Sequence, residues 1–483
     1  MKKSSLDISD SASFGVWFYI LAFFFFFGVS FSLSPMADDW YYITAPNPDF
    51  CLSDLLPTNT FWRPFDALYG ALMGKMPALF PYLNRGVVIA GHILNGILLD
   101  SILRRSAVRL SWRRFAVCFF LFSSAAWAVT LSPDALNQAF SVLFGLVAIR
   151  LHLSKGGLYY LIPCGLALLW KESGISWFFV IPLLDACRIG KTWSGFCQNR
   201  SLLKRCLTQV VASLLVIAGY FIARFALYGG VALGTDEGTY KIALFSMATI
   251  KNAVLLFASA CTGIDSVGLF GRERTLLWVA VTVLLSLGFV IAWAINLIRL
   301  MAKKQAVFPI VCLTLCALGL AFPLMIMGSA GEMHAYPVLC AMAVLYAYVF
   351  HRSGLTFRQV AVPIVMLFAA FTIASVHKVV SIYDYSHRTK ALTASIRSQY
   401  DSPSEPTLFV VIDNWEGYSV FDQPAIKGTS NGLSVRPDHQ WVEMTHFLYE
   451  ATDEAEAQAY IQEHQDRYTA IFVVRDETAQ RVK

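Results

Sequence analysis

Charge is scarce in this chain. Asp, Glu, Lys and Arg together make up only 14% of 483 residues, whereas 57% are hydrophobic, and the mean hydropathy is +0.56. A soluble fold of this length needs far more polar surface, so a water-soluble enzyme is excluded. Also absent is any CxxC pair: the ten cysteines are scattered, mostly within apolar runs. They read as small core residues and neither as a disulfide framework nor as a metal site, with a single bridge between Cys51 and Cys261, both in outer loops, left open. The net charge of +6 is carried by Lys and Arg in short loops, which does not read as a nucleic-acid footprint. No internal repeat and no low-complexity segment interrupt the chain.

What is present is a succession of apolar runs of about 20 residues, the length that crosses a hydrocarbon core of about 30 Å. Lys2 and Lys3 precede the first run without a small-residue cleavage site, so it reads as a retained first helix with the N-terminus inside. Spans are expected at about 14–34, 86–103, 115–131 and 135–153. A hairpin of two short arms follows, 158–169 and 174–186, and then spans at 207–227, 275–298 and 306–327, a tenth ending at His351-Arg352, and an eleventh at 359–377. With this count every basic loop falls on the inner side, as short cytoplasmic loops require. An amphipathic piece at about 241–260 is expected to lie along the membrane interface.

The same count gathers Asp38, Asp39, Asp134, Lys171, Glu172, Glu332 and His334 at the outer face. Ionisable groups at membrane depth are costly and read as a working site. The two hairpin arms are too short to cross, which places Lys171 and Glu172 at partial depth, inside protein or beside a water-filled cavity. From about residue 378 the composition turns polar. Leu408–Ile412 and Ala470–Val474 read as buried strands, and 453–464 as a helix with Asp453 and Glu456 at capping-box spacing. The expected architecture is therefore an α-helical polytopic membrane protein of about 11 transmembrane helices (residues 1–377) with a small extracytoplasmic α/β domain (378–483).

These outer-face groups could serve a lipid-anchored donor entering sideways from the bilayer. Its phosphate would need a cation, with Arg63, Lys171 and Arg85 available. An acceptor hydroxyl would need a base, and an Asp serves when burial and a like-charged neighbour raise its pKa. Asp38 and Asp39 are adjacent and point in different directions, with Asp39 the slightly favoured base. Asp134 is a further catalytic candidate, and Trp40, Tyr41, His92, Glu172, Glu332, His334 and Tyr336 would line the pocket. Bland readings stand beside these. Arg63 could be a rim arginine stacked on aromatics, Asp134 a helix cap, Lys171 and Glu172 a structural ion pair, and His92 and Asn95 interhelical hydrogen-bond partners. Glu332 and His334 lack a third ligand, so no metal or other cofactor is expected.

The acidic pair after the first span, Phe61-Trp62-Arg63-Pro64-Phe65, Pro77, Pro81-Tyr82-Leu83-Asn84-Arg85 and His92-Ile93-Leu94-Asn95 resemble the GT-C superfamily of polytopic glycosyltransferases, such as protein O-mannosyltransferases and their bacterial relatives. Ser132-Pro133-Asp134, Trp170-Lys171-Glu172-Ser173 and Gly331-Glu332-Met333-His334-Ala335-Tyr336-Pro337 follow in the order those proteins carry their Pro-plus-acid turn, Lys-Glu hairpin and Glu-plus-Tyr-Pro loop. The resemblance spans roughly residues 14–350. It departs from the pattern at Ser132, where many relatives have His, and in the C-terminal domain.

The resemblance implies inverting transfer of a sugar from a polyprenyl-phosphate donor to a glycan, lipid or protein acceptor. The reaction would take place at the outer face of a membrane, in a bacterium the inner one, without nucleotide sugar, metal or nucleic acid. Carried over by position, the acid of Asp38-Asp39 would be the base, and Arg63 or Lys171 would hold the donor phosphate. Other classes are a lipid or oligosaccharide flippase, which needs charges near the bilayer midplane, and an O-antigen polymerase or ligase, which relies on arginines in a late loop.

Overall fold

The computed structural model describes residues 12–33, 52–57, 62–74, 76, 79–132, 135–228, 242, 244–264, 276–304, 306–328, 330–399, 407–412, 446–475 and 478–483. Eight helices among them are long and apolar enough to cross a membrane. Every expected span coincides with a helix or a pair of helices. The first, α1 (Val16–Ser30), is apolar all round. It buries Tyr19, Ala22, Phe26 and Ser30 on one face and leaves Trp17, Leu21 and Phe24 exposed. In lipid that is the expected division, since only packing and an internally bonded backbone distinguish the two sides. After α2 (Pro64–Gly74) comes α3 (Phe80–Arg105). Its 26 residues cover about 39 Å at 1.5 Å per residue, so it links both ends of the bundle.

The third span is broken. α4 (Leu110–Phe122) ends at Ser123, which is extended at φ −69°, ψ 155°, and α5 (Ser124–Thr130) restarts with the Ser123 hydroxyl accepting from the Ala126 amide. Breaks at membrane depth strand carbonyls that lipid cannot satisfy, and here distant residues satisfy them. His92 Nε2 lies 3.1 Å from the Leu121 carbonyl oxygen, Lys378 Nζ donates to Ser124 O at 2.9 Å, and Arg85 Nη1 donates to Leu131 O at 3.0 Å.

The hairpin forms as expected, with α7 (Leu161–Trp170) and α8 (Trp177–Asp185) joined by Lys171 and a 3₁₀ turn, Glu172–Ser176. It packs on α6 (Leu136–Lys155). After the short α9 (Trp193–Gln198) comes the long α10 (Arg200–Tyr228).

The amphipathic piece forms α11 (Met247–Cys261), which packs one face on the bundle, burying Asn252, Leu256, Ser259 and Ala260, and leaves Met247, Ile250 and Val254 exposed. Its neighbours are α13 (Val307–Met325), α14 (Tyr336–Arg352) and the 3₁₀ turn at Glu332. Asn252 on the packed face donates to Met325 O at 3.2 Å and Met327 O at 2.7 Å and accepts from the Ala330 amide at 3.1 Å. It thereby completes the loop at the end of α13.

Lying between α11 and α13 in the chain, α12 (Leu276–Ala302) packs on α15 (Ala361–Arg397). The compositional change at 378 lies inside α15, which runs on unbroken for 37 residues. That is about 55 Å, well beyond a hydrocarbon core of about 30 Å. Its far end carries Leu392 and Ile396 onto one face of a four-stranded sheet, against Phe409, Val411, Phe472 and Val474. The strands are β1 (Thr407–Ile412), β2 (His446–Ala451), β3 (Ala470–Arg475) and β4 (Thr478–Arg481), in order β2-β1-β3-β4, with only β3–β4 antiparallel. The other face carries Leu408, Val410 and Ile471 against α16 (Glu454–His464). Burial on both faces explains the uninterrupted apolar run of β1. At the start of α16, Asp453 accepts from the Glu456 amide at 2.9 Å. The Glu456 carboxylate turns to Thr452 and Tyr449, whose hydrogen bonds, led by those of Thr452, hold it down to about 2.

Gly174 marks the tightest point of the hairpin, where an added Cβ would lie 2.4 Å from Ala167 O. Gly174→Ala is expected to lower stability by about 1–3 kcal/mol, as overpacking against backbone does. Gly165→Ala, with nothing within 4 Å of its Cβ, is expected to leave it unchanged. Heating the detergent-solubilised protein and scoring the monodisperse fraction by size-exclusion chromatography distinguishes the two.

Candidate active site

The hairpin turn and α2 bring together residues over one hundred positions apart. Trp62 stacks on Tyr220 at 5.1 Å between centroids, and Phe65 on Trp170 at 5.7 Å. Arg63, between those two aromatics, is an ion-pair residue, not merely a rim group on rings. Its Nε and Nη2 both meet Glu172 Oε2 at 2.8 Å. The other oxygen, Glu172 Oε1, accepts from the Trp62 amide at 3.3 Å. Two-point contact of this kind fixes the guanidinium plane as well as its position.

Lys171 and Glu172 do not pair with each other. Lys171 is extended (φ −157°, ψ 137°), so consecutive side chains diverge. Glu172 goes to Arg63, while Lys171 Nζ, on a residue 7% exposed, donates to Asn137 Oδ1 at 3.2 Å.

A third contribution comes from the loop before α14. Gly331 N donates to His334 Nδ1 at 2.9 Å, so Nδ1 is the acceptor and the ring, if neutral, carries its proton on Nε2. The positive charges of both Lys171 and Arg63 act on this ring. Arg63, Lys171 and His334, drawn from three separate parts of the chain, thus lie within electrostatic reach of one another. Glu332 lies two residues away and turns elsewhere: its Oε1 meets Lys378 Nζ at 2.6 Å, both side chains 2% exposed. Among the described residues, the cations Arg63, Lys171 and Lys378 are thus interleaved with the carboxylates of Glu172 and Glu332.

The remaining predicted residues divide. His92 and Tyr336 are buried and bonded to each other, Nδ1 to the phenol oxygen at 2.7 Å. Asn95 Nδ2 donates to the same phenol at 3.1 Å and to Ala139 O at 3.0 Å. Since the Leu121 carbonyl can only accept, His92 Nε2 is the donor there and Tyr336 donates to Nδ1. This trio clamps α3 to α4, α6 and α14, the interhelical reading. Arg85, 1% exposed, is directed at the Leu131 carbonyl. Asp38, Asp39, Trp40, Tyr41 and Asp134 lie outside the described residues. Among the described residues, no three of His, Cys, Asp and Glu are grouped to hold a metal.

Three residues were missed from the sequence. Lys378 sits where composition marks a domain boundary, and Asn252 within a segment read as interfacial. On α10, Tyr220 gives its hydroxyl to Trp62 O at 3.4 Å and lies within electrostatic reach of Glu172, Arg63 and the buried Arg224. A lone Arg near the end of an apolar run, as Arg224 is, was the one available signal, since such a charge is rarely idle.

No protein-family description matches the chain, and no curated protein matches it. Among solved structures, it is similar to ArnT from Cupriavidus metallidurans bound to undecaprenyl phosphate, with a TM-score of 0.51. The likeness covers 96% of this chain and 97% of that one at 12% sequence identity. At that identity the similarity is one of fold, and the fold is the GT-C architecture expected from the motif order.

The Glu332–Lys378 pair makes a quantitative prediction. Lys378→Met or Glu332→Gln alone breaks a buried ion pair and is expected to cost about 3–5 kcal/mol, while the double variant is expected to cost less than the sum of the two. Thermal midpoints of the four proteins in one detergent, closed as a cycle, read the coupling.

Proposed function

We propose that this protein is a membrane glycosyltransferase that moves a sugar from a polyprenyl-phosphate donor to an acceptor hydroxyl. The observation that carries the reading is the Arg63–Glu172 pair beside Lys171, with His334 within electrostatic reach, at one end of a GT-C fold. The solved relative by fold holds a polyprenyl phosphate. In the proposed reaction Arg63, its plane set by Glu172, and Lys171 hold the donor phosphate. The acceptor oxygen attacks the anomeric carbon from the face opposite the phosphate. The carbon–oxygen bond to phosphate breaks, its electron pair leaves with polyprenyl phosphate, and the hydroxyl proton passes to Asp39, with Asp38 the alternative. The product has the inverted configuration.

A phosphate leaving group departs as an anion, so it calls for charge stabilisation and not for a proton. Arg63 and Lys171 would supply that stabilisation as charge develops, and a reaction so arranged needs no metal. His334, with its Nδ1 occupied by Gly331, is placed to donate from Nε2 to a sugar or phosphate oxygen. The proposed setting is the extracytoplasmic face of a bacterial inner membrane, the face to which the basic loops assign this end. Charges gathered at one end, and not at the bilayer midplane, favour a transferase over a flippase.

The purified protein is to be given undecaprenyl-phosphate sugars in turn, with release of undecaprenyl phosphate measured. Arg63→Ala and Lys171→Met are each expected to lower turnover by about 10²–10³-fold, the loss typical of one electrostatic stabiliser. Asp39→Asn is expected to abolish turnover while leaving the protein monodisperse. No release from any lipid-linked sugar by the wild-type protein overturns the proposal.

A further inference from the structure

At the opposite end of the bundle, α3 and α6 finish side by side. Leu94, Ile97, Ser101 and Arg104 recur at spacings of three and four, which places them on one face of α3. Leu94 is 46% and Ile97 39% exposed, so that face looks outward into the apolar medium. Arg150 of α6 reaches across to it. Its Nε donates to Ser101 Oγ at 2.7 Å, and its Nη1 to Ser154 Oγ. The guanidinium is thereby pinned at the head of the groove between the two helices, by hydroxyls and not by a carboxylate. Arg104 and Arg105 are close enough for their charges to act on Arg150. The nearest acid in the sequence, Asp100, is turned away and bonded to the Ser13 amide and hydroxyl. One turn further on, Lys155 lies over the Tyr159 ring at 5.8 Å, and Tyr159 is 58% exposed, a pairing suited to the headgroup level.

Among the described residues no carboxylate meets Arg150 or Arg105. Like charges held together in this way are stabilised by an anion that sits between them, and a guanidinium fork matches a phosphate. A free phosphate would account for the arginines alone. A phospholipid accounts also for the exposed Leu94 and Ile97, which start about 10 Å from Arg104 along α3, where an acyl chain would begin. We propose that the basic end of the α3–α6 groove is a binding site for the headgroup of an anionic phospholipid, with Arg150 and Arg105 as its cations. This site is separate from the candidate active site, and its test is independent of any transferase activity.

Native mass spectrometry of the purified full chain, titrated with phosphatidylglycerol or phosphatidylcholine, reads the proposal directly. Wild-type protein is expected to bind phosphatidylglycerol at least about tenfold more tightly. Arg150→Gln and Arg105→Gln are each expected to weaken it roughly fivefold, the effect of one basic residue near a charged lipid. Arg299→Gln, on α12, is expected to change nothing. Arg105 is exposed and its replacement breaks no bond seen here, so that variant decides the matter even where Arg150→Gln fails to fold. Equal binding of the two lipids, or unchanged binding by the folded variants, overturns the proposal. Complete displacement of phosphatidylglycerol by millimolar inorganic phosphate also overturns it, in favour of a soluble anion.

Discussion

A bilayer offers no hydrogen bonds, and the structure is arranged around that lack. Wherever a spanning segment breaks, the carbonyls it strands must be met by another part of the protein. The break at Ser123 is met by His92 and Lys378, and the end of α5 at Leu131 by Arg85. The loop after Met325 is met by Asn252. These polar groups sit in otherwise apolar helices because the irregular backbone beside them requires them. The irregular backbone, in turn, is what allows side chains such as Glu332 and Lys171 to lie at depth without facing lipid.

Electrostatics then separates the two ends of the bundle. At the candidate active site cations and carboxylates are interleaved: Arg63 with Glu172, Lys378 with Glu332. Pairing of this kind fixes geometry more than it adds stability, since the desolvation cost of a buried pair offsets most of its attraction. What it provides is an arginine held in one plane and a loop held at one depth. At the opposite end Arg104 and Arg105 act on Arg150, whose guanidinium is held by the hydroxyls of Ser101 and Ser154.

Much of this was legible in the sequence, for identifiable reasons. Apolar runs of bilayer length and basic loops are redundant signals, repeated many times along the chain, so the spans survive local errors. The α7–α8 hairpin was legible because Trp170-Lys171-Glu172-Ser173 interrupts two arms too short to cross. Partners were not legible. Nothing local says that Glu172 turns to Arg63 and not to Lys171, because that depends on the extended backbone at Lys171 and on α2 arriving from far upstream. Asn252 and Lys378 were hidden for a related reason. A single polar residue in a helix is ambiguous until the carbonyl it serves is known, and those carbonyls lie 73 and 254 positions away. His92 and Asn95 could be read as interhelical partners because their one-turn spacing is itself the signal.

The same reasoning bears on where the membrane part ends. Composition divides the chain at 378, but α15 passes through that point unbroken and does two jobs. Lys378 secures the Glu332 loop beside the candidate site, and Leu392 and Ile396, about four turns further along, form the floor beneath the β-sheet. Without α15 the sheet would expose Phe409, Val411, Phe472 and Val474 on one face, an apolar surface with nothing else in the described structure to cover it. A change in composition marks where the chain leaves lipid, whereas a domain boundary requires that few contacts cross it. Here the two do not coincide. The sheet is anchored by a rigid helix to the loop that positions His334, and the geometry at the mouth of the bundle and that of the C-terminal unit are set by one element.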